Sequence, residues 1–284
     1  ERKEHKDCYF QTITNGMLFS DENVKKLKEA GNVTPLISID GFKDQNDLRR
    51  GKGVYESADT GMDKLKAAGI MYGIACTATG LNMQKVMSDA YIEHFIKKGA
   101  MYIWYYVYRP MGSEAHPEYC VSKEQLLWFR RRLLELRRKH AILVIDSYWT
   151  AEGEAFCPAA TGLGYHIGPQ GSIEICPALS FAKEKVSDGD DLYKTINESE
   201  YLRGFTKFVK ERTKGCVILE YPQQLHEYIQ SSGAKDYSGR GTAFQELNSI
   251  TPRTSQHLPD EEIPEDYWVY RFLKRQVFFG MGAL

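Results

Sequence analysis

The chain has 284 residues, of which 42% are hydrophobic and 12% aromatic, enough to bury the core of one large domain or of a large and a small one. Its 37 basic and 38 acidic residues give a net charge of −1, so charge supplies no case for a nucleic acid or an anionic membrane as a partner. No segment has the roughly 20 consecutive apolar residues that a membrane-spanning helix needs. Six cysteines without a signal peptide favour a reducing compartment, and we expect a cytoplasmic protein.

Strands and helices alternate along residues 1–147. The predicted strands are Cys8–Thr14, Pro35–Ile39, Ile70–Thr77, Ala100–Val107 and Ile142–Ile145, and the predicted helices are Glu22–Ala30, Tyr55–Ala68, Lys85–Lys98 and Lys123–His140. Continuous apolar strands between helices are typical of βαβ units, so we predict an α/β fold with a parallel sheet that forms part of a barrel. The arginines of the last helix, among them Arg130 and Arg137, are expected on its solvated face.

Four of these strands end in polar turns. The turns read Thr14-Asn15-Gly16, Ser38-Ile39-Asp40-Gly41, Thr77-Ala78-Thr79-Gly80-Leu81-Asn82 and Tyr108-Arg109-Pro110. Gly, Asn and Asp are common in ordinary turns. In an α/β barrel, however, the carboxyl ends of the strands carry the active site, and four such turns on successive strands favour a site there.

The alternation stops near residue 148, and a cysteine pattern follows. It reads Cys157-x13-Gly171-x4-Cys176, with Cys216 further along and predicted to begin a short strand, Cys216–Leu219. Thiolates brought to one point hold iron–sulfur clusters or zinc, and the alternative is a set of buried cysteines. Cys8 and Cys76 fall within predicted strands and are expected in the core. Residues 233–284 form an aromatic-rich tail that is expected to pack on the body.

The block Leu36-Ile37-Ser38-Ile39-Asp40-Gly41-Phe42, followed by Asp47-Leu48-Arg49-Arg50-Gly51 and a helix, resembles radical S-adenosylmethionine (radical SAM) enzymes with a SPASM or twitch extension. In that group a strand ending Ser-x-Asp-Gly precedes an Arg-Gly pair. The cysteine pattern is similar to the start of the group's auxiliary-cluster motif. The resemblance implies a partial (β/α)6 TIM-like barrel, later strands only, over residues 1–147, and a small α+β SPASM-like extension over residues 148–232.

The resemblance also implies a SAM site on the strand ends. Ser38 and Asp40 would hydrogen-bond the ribose, and Arg50 would bind the methionyl carboxylate through its guanidinium. The neutral polar groups around the adenosyl and substrate region would come from Asn15, Thr77 and Asn82. Tyr108 and Pro110 would shape the adenine end.

The chain departs from the group at its iron–sulfur clusters. It has neither the Cys-x(3)-Cys-x(2)-Cys motif of the catalytic [4Fe–4S] cluster nor the Gly-Gly-Glu turn, so we expect the later part of a longer enzyme, inactive by itself. At most one auxiliary cluster is expected, with Cys157, Cys176 and Cys216 as ligands and a fourth from Cys120, a histidine or the substrate. The alternative is an extension that survives as a packed scaffold without a cluster.

The leading hypothesis is therefore an enzyme that, when intact, reductively cleaves SAM to a 5′-deoxyadenosyl radical and abstracts hydrogen from an unidentified substrate. The group often modifies peptides or proteins, and an external electron donor such as a flavodoxin or ferredoxin is implied. A second hypothesis is a non-catalytic iron–sulfur or zinc protein that uses the cysteine hairpin for structure or electron transfer. A third is an α/β-barrel enzyme of unrelated chemistry with merely buried cysteines.

Overall fold

A computed structural model describes residues 7–162, 164–187 and 191–276 of the chain. These residues divide into two compact units. The first comprises the described residues up to 108 together with 127–146, and the second comprises 109–126 together with those from 147 onward.

The first unit contains a five-stranded, all-parallel sheet with the strand order β1-β2-β3-β4-β5. Its elements are β1 (Phe10–Thr14), α1 (Asp21–Ala30), β2 (Val33–Ser38), α2 (Lys43–Arg50), α3 (Val54–Ala68), β3 (Gly73–Ala78), α4 (Met83–Val86), α5 (Asp89–Lys98), β4 (Tyr102–Val107), α6 (Lys123–Lys139, of which the first residues belong to the second unit) and β5 (Leu143–Ile145). All five predicted strands are present, and the predicted α/β fold with a parallel sheet is confirmed.

Side-chain caps explain where two helices of this unit, α1 and α5, begin. The Ser20 hydroxyl accepts a hydrogen bond from the backbone N–H of Asn23 and starts α1. The predicted helix Lys85–Lys98 is in fact two helices, because Ser88 leaves the helical conformation and its hydroxyl accepts from the backbone N–H of Tyr91 to start α5. The short helix α2 was not predicted from the sequence.

The strand β1 lies at the edge of the sheet, and its side chains are largely exposed. Cys8 precedes this strand and is exposed, so the prediction that Cys8 lies in a strand and in the core is wrong. Cys76, by contrast, is fully buried in β3 as predicted.

Two arginines of α6 are buried, which corrects the expectation that they lie on a solvated face. Arg137 donates from Nη2 to Asp146 Oδ2 at 2.5 Å and from Nε to the carbonyl of Val144 at 3.0 Å. Arg130 Nη1 lies 3.9 Å from the same carboxylate oxygen. Asp146 directly follows β5 and supplies the negative charge that permits this burial.

The second unit is α+β, with a core formed mainly by helices. Its elements are a 3₁₀ turn (Pro117–Tyr119), α7 (Pro158–Thr161), β6 (His166–Ile167), β7 (Ile173–Glu174), β8 (Phe181–Ala182), α8 (Leu192–Glu198), α9 (Glu200–Lys210), α10 (Val217–Glu220), α11 (Pro222–Ser231), β9 (Lys235–Asp236), α12 (Ala243–Asn248) and α13 (Trp268–Gln276). The strands β6 and β7 pair as an antiparallel hairpin, and β8 pairs antiparallel with β9, from which four helices separate it in the chain.

The prediction of a strand at Cys216–Leu219 is wrong, because this segment contains the helix α10. Val217, Ile218 and Leu219 are all buried, and a short apolar run of this kind does not distinguish a strand from a buried helical turn. Among the described residues no helix is both long and apolar enough to cross a membrane.

One face of α13 packs against the rest of the second unit. Tyr270 and Lys274 are buried there, and Lys274 Nζ donates to the carbonyl of Trp149 at 2.6 Å. Trp268 and Phe272 are exposed. The last part of the predicted tail, residues 277–284, lies outside the described residues.

We predict that Asp146→Asn lowers the free energy of unfolding by about 3–5 kcal/mol, because it leaves buried guanidinium groups without their carboxylate. Urea unfolding followed by circular dichroism measures the change. Glu135→Gln is the matched control, since Glu135 forms a half-exposed ion pair with Arg132 at 2.9 Å and its loss should cost less than about 1 kcal/mol. Equal effects of the two substitutions would contradict a structural role for the buried pair.

Candidate functional site

The carboxyl ends of β2 and β3 are joined by the buried side chain of Asp40. Its Oδ1 accepts a hydrogen bond from the backbone N–H of Thr77 at 2.7 Å. Its Oδ2 accepts from Arg50 Nε at 2.6 Å and from a terminal nitrogen of Arg49. The Asp40 carboxylate therefore links the turn after β2 to Thr77 near the end of β3, and it holds Arg49 and Arg50 of α2.

Two asparagines, Asn46 and Asn82, complete this network. We name the strand-end cluster the set Ser38, Asp40, Asn46, Arg49, Arg50, Thr77 and Asn82. Asn82 Nδ2 donates to the carbonyls of Asp40 at 3.0 Å and Thr77 at 2.9 Å, and its Oδ1 accepts from the Thr79 N–H at 2.7 Å. From the start of α2, Asn46 Oδ1 accepts from the Asp40 N–H at 2.9 Å. Amide side chains thus satisfy the polar backbone groups that the turns would otherwise bury unpaired.

The strand-end cluster carries excess positive charge. Two guanidinium groups share one carboxylate, whose side chain is 0% exposed, whereas Arg49 and Arg50 remain 30% and 23% exposed. Arg50 contacts Asp40 through Nε, and its terminal nitrogens make no hydrogen bond to a described residue. They are therefore available to a carboxylate of a ligand, which guanidinium groups bind with two parallel hydrogen bonds.

The structure brings together five of the eight residues predicted to bind the cofactor: Ser38, Asp40, Arg50, Thr77 and Asn82. Ser38 ends β2 and is buried. Asp40 faces the arginines and a backbone N–H, so in this structure its carboxylate holds Arg50 in place instead of facing a space for ribose.

The other three predicted residues are placed separately. Asn15 is exposed after β1, where its side chain accepts from the Met17 N–H at 3.1 Å. The Tyr108 N–H donates to the carbonyl of Ala78 at 3.0 Å, which places Tyr108 beside the end of β3. Pro110 belongs to the second unit and is buried there. Sequence reasoning missed Arg49, although its position directly before Arg50 and soon after the Asp-Gly turn was a usable signal.

These residues fit part of SAM and do not fit the iron–sulfur cluster that activates it. The arginine pair suits the methionyl carboxylate, and the hydroxyl of Ser38 and the amide of Asn82 lie at the same strand ends. The six cysteines of the chain contain no Cys-x(3)-Cys-x(2)-Cys spacing. No residue set for the catalytic cluster is therefore present in this chain.

The second unit gathers the three cysteines of the predicted auxiliary site around Arg109. Arg109 donates from Nε to Cys216 Sγ at 3.0 Å and from Nη2 to Gln256 Oε1 at 3.2 Å, and its guanidinium lies 5.5 Å from the ring centre of Tyr148. Burial raises the pKa of Cys157 to about 11 and that of Cys176 to about 12, and charge interactions with neighbouring thiols add to both shifts. Burial opposes the charge on Arg109, yet interactions with Cys216 and Tyr148 raise its pKa overall.

The three thiols are electrostatic neighbours, but in the described part of the chain no three His, Cys, Asp or Glu side chains are arranged to hold a metal ion. The residues as placed do not fit a three-thiolate ligand set, so we derive no chemistry through a cluster here. Among the fourth ligands considered, His257 Nδ1 lies 3.0 Å from the Thr213 hydroxyl, and His166 Nδ1 lies 2.7 Å from Glu174. The auxiliary cluster and the cluster-free scaffold both stay predictions.

Comparison with known proteins gives one family match and one curated relative. The family model of the radical SAM superfamily matches residues 1–98. The Fe-coproporphyrin III synthase of Methanosarcina barkeri is 34% identical over 144 residues, which is 48% of this chain and 36% of that protein. The chain thus spans little more than a third of the curated relative.

Solved structures share the fold at low sequence identity. anSMEcpe with bound AdoMet is 17% identical, with a TM-score of 0.53, over 70% of this chain and 56% of that one. SuiB from Streptococcus suis is 14% identical, with a TM-score of 0.57, over 71% and 52%. anSMEcpe with bound AdoMet and the Cp18Cys peptide is 15% identical, with a TM-score of 0.51, over 97% and 73%. These structures contain the TIM-like barrel of radical SAM enzymes, and the parallel sheet of this chain corresponds to part of it.

We predict that Cys157 and Cys176 react with iodoacetamide at pH 8 on the order of 100-fold more slowly in the folded protein than in urea, because their raised pKa leaves almost no thiolate at that pH. Peptide mapping by mass spectrometry measures each rate. Cys8 is the internal control, because it is exposed and should react at similar rates in both states. Fast labelling of Cys157 or Cys176 in the folded protein would contradict their burial as neutral thiols.

Proposed function

We propose that the strand-end cluster binds S-adenosylmethionine in a SAM-dependent radical enzyme, on the premise that residues 1–98 of this chain match the family model of the radical SAM superfamily. The observation that supports this most directly is the excess positive charge on the Asp40-anchored arginines. When bound, SAM supplies the 5′-deoxyadenosyl radical on which the chemistry of the superfamily depends. Because the chain spans only 36% of its curated relative, the activity of the whole protein is part of the proposal.

In the proposed complex, Arg50 binds the methionyl carboxylate through its terminal nitrogens. Asp40 fixes the Arg50 side chain by accepting from Nε, so the guanidinium is oriented before the ligand arrives and little rotamer entropy is lost on binding. Arg49 shares the same carboxylate oxygen and adds positive charge. In this proposal Asp40 positions Arg50 and does not make the contact with the ribose that the sequence had led us to expect.

The neutral groups of the site would contact the nucleoside. Ser38 ends β2, Thr77 is the last residue but one of β3, and Asn15 follows β1. The three strands are neighbours in one parallel sheet, whose carboxyl ends meet at the same edge. Asn82 acts indirectly, because both hydrogens of its amide nitrogen are donated to backbone carbonyls that shape the two turns. Tyr108, which lies beside the end of β3, would contact the adenine of SAM.

We further propose an iron tetrapyrrole as the substrate class. The relative with 34% identity is named for making Fe-coproporphyrin III, whereas the peptide-bound structures are about 15% identical, a level that carries the fold alone. A peptide is the second candidate substrate, because SuiB and anSMEcpe, which share the fold, have structures with a bound peptide. An external one-electron donor such as a flavodoxin or ferredoxin belongs to the same proposal.

We predict that Arg50→Ala in the full-length protein weakens SAM binding by about 1.5–3 kcal/mol, or roughly 10- to 100-fold, the scale of losing hydrogen bonds to a charged group. Arg50→Lys should fall between this variant and the wild type, because it keeps the charge and loses the planar fork. Isothermal titration calorimetry measures the affinities.

The control is Arg240→Ala, which removes a two-point arginine–carboxylate pair with Glu246 in the second unit, with distances of 2.9 and 2.7 Å. This variant should bind SAM like the wild type. Wild-type affinity in Arg50→Ala would show that the carboxylate of SAM does not meet this arginine.

For the substrate class, we predict that the full-length protein binds ferric coproporphyrin III saturably, with a shift of the Soret band on titration. Competition with a non-porphyrin dye and with unrelated peptides sets the level of non-specific binding. A Soret band that stays at the position of the free porphyrin over the whole titration would reject the tetrapyrrole and favour the peptide class.

A further inference from the structure

The two faces of the first unit's sheet have different surroundings at β4. Ile103, Tyr105 and Val107 are buried, and Tyr105 packs edge-to-face on Phe129 of α6 and donates from its hydroxyl to the carbonyl of Val86 at 2.5 Å. Side chains alternate between the two faces along a strand. The helices therefore cover the face that the odd-numbered residues of β4 occupy. We name the opposite face, which carries the even-numbered residues of β4, the inner face.

The strand register shows which residues share the inner face. Ala75 of β3 pairs with Ser38 of β2 on one side and with Trp104 of β4 on the other. Two residues further along, Thr77 pairs with Tyr106. Directly paired residues of neighbouring strands lie on the same face of a sheet. The inner face therefore carries two residues of the strand-end cluster, Ser38 and Thr77, and two aromatic residues beside them.

Tyr102 fills the inner face at the amino end of the strands. A Cβ atom at Gly73 would overlap the Tyr102 ring, so this ring lies across β3 at a residue without a side chain. The Tyr102 hydroxyl accepts from Gln11 Nε2 at 3.0 Å and lies 3.4 Å from the Thr34 hydroxyl. Tyr102 thus reaches from β4 to the side chains of β2 and β1. A ligand on the inner face is therefore confined to the carboxyl half of the strands.

Trp104 and Tyr106 occupy that carboxyl half. Their rings are 12° from parallel, with centres 5.6 Å apart, and both residues are partly exposed, whereas Ile103, Tyr105 and Val107 are buried. The paired residues on β3, an alanine and a threonine, are much smaller than the two rings. Near-parallel aromatic rings beside small side chains offer a surface that a flat, conjugated ligand contacts through stacking and dispersion.

This aromatic pair lies next to the proposed SAM site. Tyr106 pairs with Thr77, and the backbone N–H of Thr77 donates to the Asp40 carboxylate at 2.7 Å. Neighbouring strands are about 4.8 Å apart. All of these residues belong to the first unit. A ligand in contact with Trp104 and Tyr106 is therefore one strand away from the group that holds Arg50.

We propose that Trp104 and Tyr106 bind the ring plane of the tetrapyrrole substrate; this inference rests on the substrate class proposed above. A porphyrin is a flat conjugated macrocycle, and its stacking on aromatic side chains needs no polar partner. An extended peptide fits this face less well, because β4 pairs with β3 on one side and β5 on the other, so its backbone is already used in the sheet. Because the contact is with the ring plane, it is independent of the iron.

The test is a titration of the full-length protein with ferric coproporphyrin III and, separately, with metal-free coproporphyrin III, each followed by the Soret band. Trp104→Ala and Tyr106→Ala should each weaken the binding of both porphyrins by about tenfold, the scale of losing one stacked aromatic ring. Trp104→Phe and Tyr106→Phe should recover most of the affinity, because they keep a ring. A loss confined to the ferric porphyrin, or phenylalanine variants as weak as the alanine variants, would overturn the assignment.

The matched control is Trp128→Ala, which removes a tryptophan of α6 that is 38% exposed. This variant should bind both porphyrins like the wild type, and a comparable loss in it would count against a specific role of the aromatic pair. Circular dichroism shows whether each variant folds, and the phenylalanine variants carry the test if an alanine variant does not.

Two further outcomes separate this inference from the proposed function. If the wild type binds the porphyrins and the folded alanine variants bind them equally well, the assignment of the aromatic pair is overturned while the substrate class stands. If the wild type binds neither porphyrin, the substrate class fails and the assignment falls with it.

Discussion

The buried carboxylate of Asp40 is the constraint on which the first unit's site depends. A carboxylate with no solvent exposure is tolerated only when its oxygens are bonded, and here one oxygen is bonded to the backbone of the neighbouring strand and the other to two arginines. The same bonds that compensate its burial also couple the turn after β2 to the end of β3. A neutral side chain at position 40 would lose both the charge balance and the connection between the strands.

Buried or half-buried guanidinium groups recur in this chain with different partners, and the partners decide what each can do. Arg137 is fully engaged by Asp146 and a carbonyl, which makes it a structural residue. Arg50 uses only Nε for Asp40, and its terminal nitrogens make no hydrogen bond to a described residue. Arg109 donates hydrogen bonds to the sulfur of Cys216 and to the amide oxygen of Gln256, and its guanidinium makes a cation–π contact with the ring of Tyr148. Arg109 therefore stabilises electron-rich groups around the thiols.

The surroundings of Cys216 are equally specific. Its backbone N–H donates to the Ser255 hydroxyl at 3.0 Å, and that hydroxyl donates to Glu220. The indole N–H of Trp149 donates to the carbonyl of Gln256, whose side chain also meets Arg109. The sequence around Ser255 looks like part of an irregular, Pro-rich tail. In the structure it is hydrogen-bonded to the backbone of Cys216, more than thirty residues upstream.

Much of the first unit was predictable, because local signals decide it. Apolar runs placed all five strands, and the order Ser-x-Asp-Gly followed by Arg-Arg-Gly identified Asp40 and Arg50 before their contact was visible. The division of α4 from α5 was not predicted, since helical periodicity continues through Ser88 and only its cap interrupts the helix. Cys8 and the segment after Cys216 were misassigned because a short apolar run does not reveal what covers it.

The sequence alone thus determined the five strands of the first unit, the longer helices between them and the residue types at the strand ends, because periodicity and turn chemistry act over a few residues. Only the tertiary structure decided which groups meet. It turned Asp40 toward arginines, set Arg109 against Cys216, and placed His166 opposite Glu174 across a hairpin. Such pairings depend on strand register and on which charges can be buried together. Both are decided by how helices and strands pack, and not by residues that are neighbours in the sequence.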